Sequence, residues 1–389
     1  MKRKVSTQKA PARKPAAPAA KGRRSVAPAS NPHSADVFEQ LAVHRHEQVS
    51  YWYEPQSGYR GVIAIHNTAL GPALGGTRFW HYVSDAEALN DVLRLSRGMT
   101  YKSAVAGLNL GGGKSVIIGD PSIDGKQRDA VFRAHGRHVE SLAGRYITAE
   151  DVNTSPHDME AVFAETKQVV GLQGRSGDPS PVTAYGTFRA TQACAKFLWG
   201  SEDISGKTVA VQGVGHVGYH VCKHLHEAGA QLIVSDVTAA RTKRAADEFG
   251  AKVVSRDAIY GVRADVFAPC ALGAVINDDT LKVLRAAIVC GAANNQLAEE
   301  RHGDALQRRG IVYAPDYVAN AGGLINVNAE IEDWTLEQSR RKAGEIYDTV
   351  LRVLEIAREQ GIPSYRAADR LAEERVKEAE RSRGLPHRI

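Results

Sequence analysis

Lys102 and Lys114 lie twelve residues apart, and the second closes the run Gly111-Gly112-Gly113-Lys114. A lysine is ordinarily a solvated surface charge. Three glycines before Lys114 and the apolar run Ser115-Val116-Ile117-Ile118 after it make a poor setting for one. The glycines would also let a ligand come close to the backbone. Two ammonium groups held together and partly desolvated would depress one pKa and give a base near neutral pH, while the other stays cationic and holds a carboxylate. A carboxylate follows in Ala149-Glu150-Asp151-Val152-Asn153, after the strand Tyr146-Ile147-Thr148. It reads as a proton shuttle, a helix N-cap or a surface loop.

A second constellation is Gly213-Val214-Gly215-His216-Val217-Gly218, which follows an apolar strand and opens a helix. The first glycine permits a tight turn, the second lets the backbone approach a pyrophosphate, and the third lets helix and strand pack closely. The pyrophosphate would meet free amides at the helix N-terminus. The next strand ends in Ser235-Asp236, with Asp236 eighteen residues after Gly218. A carboxylate there would accept from ribose hydroxyls and repel a 2′-phosphate, which favours NAD over NADP.

The elements that must position these groups divide the chain. Strand-like patches occupy residues 50–66, and Ser84-Asp85-Ala86-Glu87 is a capping box. It opens a helix in which Ala88, Val92, Leu95 and Met99 recur at helical spacing, and this helix ends near Lys102. From residue 207 strands and helices alternate: strands at 207–211, 231–235, 265–268 and 287–290, helices at 213–228 and 239–249. That alternation is the mark of a parallel sheet covered by helices. From about residue 336 the chain is charged and helical.

Composition excludes several classes. The chain has 389 residues, 43% hydrophobic and 24% charged, with no run of eighteen apolar residues to cross a membrane. Residues 1–34 hold nine basic and no acidic residues, leaving 41 basic against 44 acidic residues for the remainder. The basicity belongs to a tail over 1–35, expected to be disordered. The slightly acidic body speaks against nucleic acid as the main partner. Cysteines 194, 222, 270 and 290 form no C-x-x-C pair, which indicates reduced thiols and a cytoplasmic setting. No metal site is expected.

Several segments resemble the glutamate/leucine/phenylalanine/valine dehydrogenase family, most closely its leucine branch. They are GPALGGTR (71–78), GMTYKSAVAGLNLGGGKSVIIGDP (98–121), RYITAEDVNT (145–154), SPVTAYG (180–186), VAVQGVGHVG (209–218), DVFAPCALGAVIND (265–278), GAANNQL (291–297) and YAPDYVANAGGLINV (313–327). The resemblance spans about residues 36–382 and implies an α/β fold in three parts. An N-terminal α/β domain (36–182) would serve substrate and oligomer contacts, and a Rossmann domain (183–328) would bind NAD. C-terminal helices (329–389) would return to the first domain. It also implies a homo-oligomer, octamer or dimer. By the same resemblance Lys102 would bind the substrate α-carboxylate, Lys114 would be the catalytic base and Asp151 would assist proton transfer. Asn295 and Asn320 would lie near substrate and nicotinamide, and Thr183 at the nicotinamide end. The glycine loop, Asp236, Cys270, Ala271 and Asn294 are expected on the cofactor.

The implied reaction is NAD-dependent oxidative deamination of an L-amino acid to its 2-oxo acid and ammonia, and the reverse. Leu74 stands where glutamate-specific members resemble one another in a lysine, and burying a glutamate carboxylate there without a partner would cost about 2 kcal/mol or more. Leu74, Gly75, Ala149 and Leu324 are expected around the side chain. Ala149 resembles leucine-type members, whereas Leu324 and Asn153 resemble aromatic-type ones. Branched-chain substrates are favoured, with phenylalanine or tryptophan as the alternative. A more distant alternative is a 2-hydroxy-acid dehydrogenase, which would need a histidine–acid pair instead of two lysines and an aspartate.

Overall fold

A computed structural model describes residues 37–172 and 177–384. The basic tail expected over 1–35 lies outside the described residues. The first sheet is built from β1 (Gln48–Glu54), β2 (Tyr59–Asn67), β3 (Ala73–Trp80), β4 (Gly111–Ile118) and β5 (Tyr146–Glu150), in the order β1-β2-β4-β3-β5. β1, β2 and β4 run antiparallel in turn, while β3 is parallel to both β4 and β5. This brings Lys114 on β4 and Asp151, just past β5, to either side of β3.

Both faces of this sheet are covered, so its strands read as continuous apolar runs. Side chains alternate between faces along a strand. Val62, Ala64 and Val116 therefore pack against Leu89, Val92 and Leu93 of the helix Asp85–Val105. Phe79 and Ile117 point the other way, onto Phe132 of the helix Gly125–Glu140. Lys114 shares the parity of Val116 and so faces the helix that carries Lys102. Ser84 caps that helix by accepting from the Glu87 amide, while the Glu87 carboxylate takes the Val83 amide. The box expected at 84–87 forms, with its return bond displaced by one residue.

The Gly-rich stretch departs from expectation. The strand begins at Gly111, and all three glycines and Lys114 belong to it. Their openness admits the protein's own elements in place of a ligand. A β-carbon on Gly112 would land on the Thr100 backbone nitrogen, and one on Gly113 would sit 2.6 Å from the Tyr146 ring. The missing side chains let the Lys102 helix lie directly on β4.

The second sheet is wholly parallel. Its strands are β6 (Thr208–Gln212), β7 (Gln231–Ser235), β8 (Lys252–Val253), β9 (Val266–Pro269), β10 (Ile288–Val289) and β11 (Val312–Tyr313), in the order β11-β10-β9-β6-β7-β8. That is the doubly wound order, and its switch point falls between β6 and β9, where such sheets bind ligands. The strand expected over 287–290 is shorter than read. The charged C-terminal stretch forms helices Leu336–Gly344, Ile346–Gln360 and Ser364–Ser382. The last returns to the first sheet's helix: Tyr101 donates to Glu373 at 3.0 Å, and the Arg375 guanidinium caps the carbonyls of Ala104 and Leu108 at 2.6 and 3.0 Å.

Gly112→Ala should destabilise the protein by about 2–3 kcal/mol through this overpacking. Calorimetric melting would register it, and an unchanged transition would show that the helix can yield without cost.

Candidate active site

The site lies in a cavity of about 330 Å³ between the two sheets. β4 supplies Lys114, which is only 5% exposed, and the loop after β5 supplies Asp151. Lys114 Nζ meets Asp151 Oδ2 at 2.9 Å. Burial pushes the Lys114 ammonium below the ordinary lysine range, with the Asp151 charge opposing and Arg78 assisting. Burial would raise the Asp151 carboxyl, but Lys114, Arg78 and a backbone amide together outweigh it and hold it below its usual value. The pair thus sets a lysine whose charged form is disfavoured by burial beside a carboxylate whose charged form its cations favour.

Lys102, from the last turn of its helix, opens onto the same cavity. Desolvation pushes it down to about 8, with Asp316 opposing and Lys114 adding to the fall. A carboxylate entering the cavity would restore its charge, because an opposite charge nearby favours the ionised form. Leu74, Gly75, Ala149 and Leu324 line the cavity beside these groups, as do Thr183, Asn294, Asn320 and Val217. Asn320 Nδ2 donates to Asn294 Oδ1 at 2.7 Å, while Asn320 Oδ1 is buried with no hydrogen-bond partner among the described residues. Asn295 is not among the lining residues. Its backbone is left-handed (φ 51°), and its carbonyl accepts from Ala274 N at 2.6 Å.

A second cavity of about 450 Å³ is lined by Gly213, Gly215, Asp236, Cys270 and Ala271. Gly213 has φ 94°, where a β-carbon would be strained and would also meet Ala271 at 2.5 Å. A β-carbon on Gly215 would meet nothing closer than Arg241 at 3.9 Å, so it would project into the cradle itself. Val214 is buried, and its amide donates to Asp236 Oδ2 at 2.8 Å. Asp236 Oδ1 accepts from Thr238 N at 2.8 Å and lies 3.7 Å from Arg241. His216 is exposed at the start of its helix and lines neither cavity.

Sequence reasoning missed Met99, Glu150, Val327 and Gly323, which also line the first cavity, and Arg241 and Arg256, which line the second. Met99 stands one helical turn before Lys102, and Val327 one turn after Leu324, so helical spacing from the chosen residues would have found both. No comparable signal marks the two arginines.

A doubly wound sheet thus faces a second α/β sheet across a cavity lined by paired lysines. Residues 45–168 match the family model for the Glu/Leu/Phe/Val dehydrogenase dimerisation domain. Residues 174–240 and 234–384 match that for glutamate/leucine/phenylalanine/valine dehydrogenase. Leucine dehydrogenase of Bacillus subtilis is 54% identical over 90% of this chain and 96% of the relative. L-tryptophan dehydrogenase of Nostoc punctiforme is 47% identical over 89% of this chain and 98% of the relative. The crystal structure of a Nostoc punctiforme L-tryptophan dehydrogenase superimposes with a TM-score of 0.82 at 46% identity, covering 88% and 99% of the two chains. The chain therefore belongs to the glutamate/leucine/phenylalanine/valine dehydrogenase family, and it is an amino-acid dehydrogenase acting on the CH–NH2 group.

Lys114→Ala should lower turnover by several orders of magnitude while leaving dinucleotide binding intact, since Lys114 lines only the first cavity. In the unsubstituted enzyme, acidification should reduce kcat/KM as Lys114 takes up a proton and ceases to be a base. Steady-state rates across pH, with cofactor titration by fluorescence, would check both. Near-normal turnover in well-folded Lys114→Ala would remove Lys114 from the chemistry.

Proposed function

We propose that this protein oxidises a branched-chain L-amino acid, leucine foremost, to its 2-oxo acid and ammonia with NAD, and runs the reverse reductive amination. The observation that carries the reading is the Lys114–Asp151 pair sharing with Lys102 a cavity to which Leu74, Ala149 and Leu324 contribute an apolar patch. Leu74 leaves no cation for a side-chain carboxylate. The leucine relative supports aliphatic substrates, and the tryptophan relative together with Leu324 keeps an aromatic substrate as the second reading.

The residues present suit a dinucleotide. The Gly213–Gly218 turn offers a cradle that a side chain at Gly215 would fill, and the unpartnered Asn320 Oδ1 stands ready to accept from a carboxamide. Asp236 would hold the adenosine ribose, Cys270 and Ala271 the rim, and Thr183, Asn294 and Asn320 the nicotinamide end. NAD, when bound, accepts the α-hydride and leaves the substrate as an imine. The protein supplies the rest. Lys102 binds the α-carboxylate and keeps its charge there. Lys114, neutral, takes a proton from the water that attacks the imine carbon. Asp151 relays protons to and from the amine nitrogen until the carbinolamine collapses to oxo acid and ammonia.

Residues 36–182 would then serve substrate, 183–328 the dinucleotide, and 329–389 the return packing, within a homo-oligomer working in the cytoplasm. Among the described residues no helix is long and apolar enough to cross a membrane, and the four cysteines are free.

NADH formation measured with leucine, valine, isoleucine, phenylalanine, tryptophan and glutamate tests the proposal. The aliphatic substrates should lead and glutamate should fail; a lead by tryptophan or phenylalanine would overturn the preference. Ala149→Gly should raise the phenylalanine-to-leucine ratio of kcat/KM roughly ten-fold, since one methyl at a packed contact is worth a few kcal/mol at most. Asp236→Ala should narrow a preference for NAD over NADP, and equal use of both by the unsubstituted enzyme would refute the ribose assignment.

A further inference from the structure

The pair at the centre of the site is not closed on itself. Asp151 Oδ2, the oxygen that meets Lys114, is also 3.3 Å from Arg78 Nε. Arg78 sits on β3, between the strands that carry the other two groups. Its far end is anchored, with Nη1 reaching Asp91 Oδ2 at 2.7 Å. Asp91 is itself fixed by the Tyr82 hydroxyl at 2.8 Å and by Arg94 at 3.0 Å. Only 22% of the Arg78 side chain is exposed. A guanidinium so held cannot be deprotonated and has little freedom to leave.

We propose that Arg78 is a positioning residue for the deamination chemistry: a fixed cation that pins the Asp151 carboxylate on Lys114 and keeps the lysine–aspartate pair in its working protonation state. This rests on the function proposed above for Lys114 and Asp151. A lysine and an aspartate alone would hold each other ionised, because each charge favours the other. A permanent positive charge on the shared oxygen lets the carboxylate stay ionised without depending on the lysine. It stabilises the carboxylate whether or not Lys114 is charged, and it disfavours a second ammonium beside it. It also fixes the carboxylate in place, so a proton can pass along one defined line.

The other charges around the pair do not substitute for it. Lys102 and Asp91 face it from the helix Asp85–Val105 and Tyr146 from β5, while Asp316, on the helix Asp316–Ala319, acts on Lys102. Lys102 is committed to the cavity, and Asp91 acts in the opposite sense. Arg78 is therefore the fixed cation of the group.

Replacing Arg78 by methionine, or by glutamine, which keeps a polar head without the charge, tests this. The acidic limb of kcat/KM should move to higher pH by about one unit, because Lys114 then holds its proton longer. Near neutrality kcat should fall ten-fold or more while KM for the amino acid changes little. Arg78→Lys, which restores a cation, should return most of the shift. A second readout does not depend on the substrate. Cyanate carbamylates only the neutral amine, so peptide mass spectrometry of Lys114 against pH reports its ionisation directly. A midpoint that rises in both neutral variants supports the proposal even if the enzyme proves to prefer another amino acid. An unmoved midpoint with an unmoved pH limb, whatever the loss of stability, overturns it.

Discussion

The structure turns on the cost of placing the Lys114 ammonium where water scarcely reaches it. An unpaired buried charge is worth several kcal/mol of destabilisation, and breaking a buried pair typically costs about 3–5 kcal/mol. The protein meets that cost with the Asp151 carboxylate, just past β5 on the far side of β3, 2.9 Å away. The arrangement demands that β3, β4 and β5 stay in register, and the interior beneath them is built for that. Thr77, Ser115 and Thr148, one from each strand, share hydrogen bonds at 2.5–2.7 Å, and His135 joins Thr77 at 2.8 Å. Burial holds the His135 imidazole far below its usual range, at about 3, so it serves this network as a neutral partner.

The second sheet imposes a complementary constraint. Its switch point places the glycine turn and the loop after β9 at one rim, facing the lysines. Thr183 and Asn320 line the first cavity as groups of fixed orientation. Thr183 is buried with its hydroxyl on Pro179 O at 2.9 Å, and Asn320 is tied to Asn294.

Much of this was legible in the residues. The glycine turn, the strand–helix alternation and the odd setting of Lys114 each carry a local physical reason, and local reasons survive folding. The order of the first sheet was not legible, because β3 lies between β4 and β5 only through pairings of high sequence separation. The triple glycine was misread for a related reason: a glycine records that something approaches closely, without recording what. It proved to be the Thr100 backbone and the Tyr146 ring. Arg78 carries no signal of its own, since its partners Asp91 and Asp151 lie thirteen and seventy-three residues away. Asp236 was read as a ribose acceptor, yet its carboxylate also braces the glycine turn through the Val214 amide, a contact that spacing alone does not reveal.

The return of the helix Ser364–Ser382 to the helix carrying Lys102 bears on the order of synthesis. A ribosome delivers both sheets before it delivers Tyr101's partner Glu373, Arg375, or Glu380, which accepts from Asn67 at 3.2 Å. Until those residues emerge, the end of the substrate-side helix lacks the Arg375 guanidinium on its carbonyls and the Glu373 partner of Tyr101. The nascent chain therefore holds nearly all of its chemistry-bearing residues while lacking the buttress that seats one of them. A message truncated before the codon for Glu373 would yield a product that contains both lysines and Asp151 but lacks the support that helps place Lys102 against the cavity.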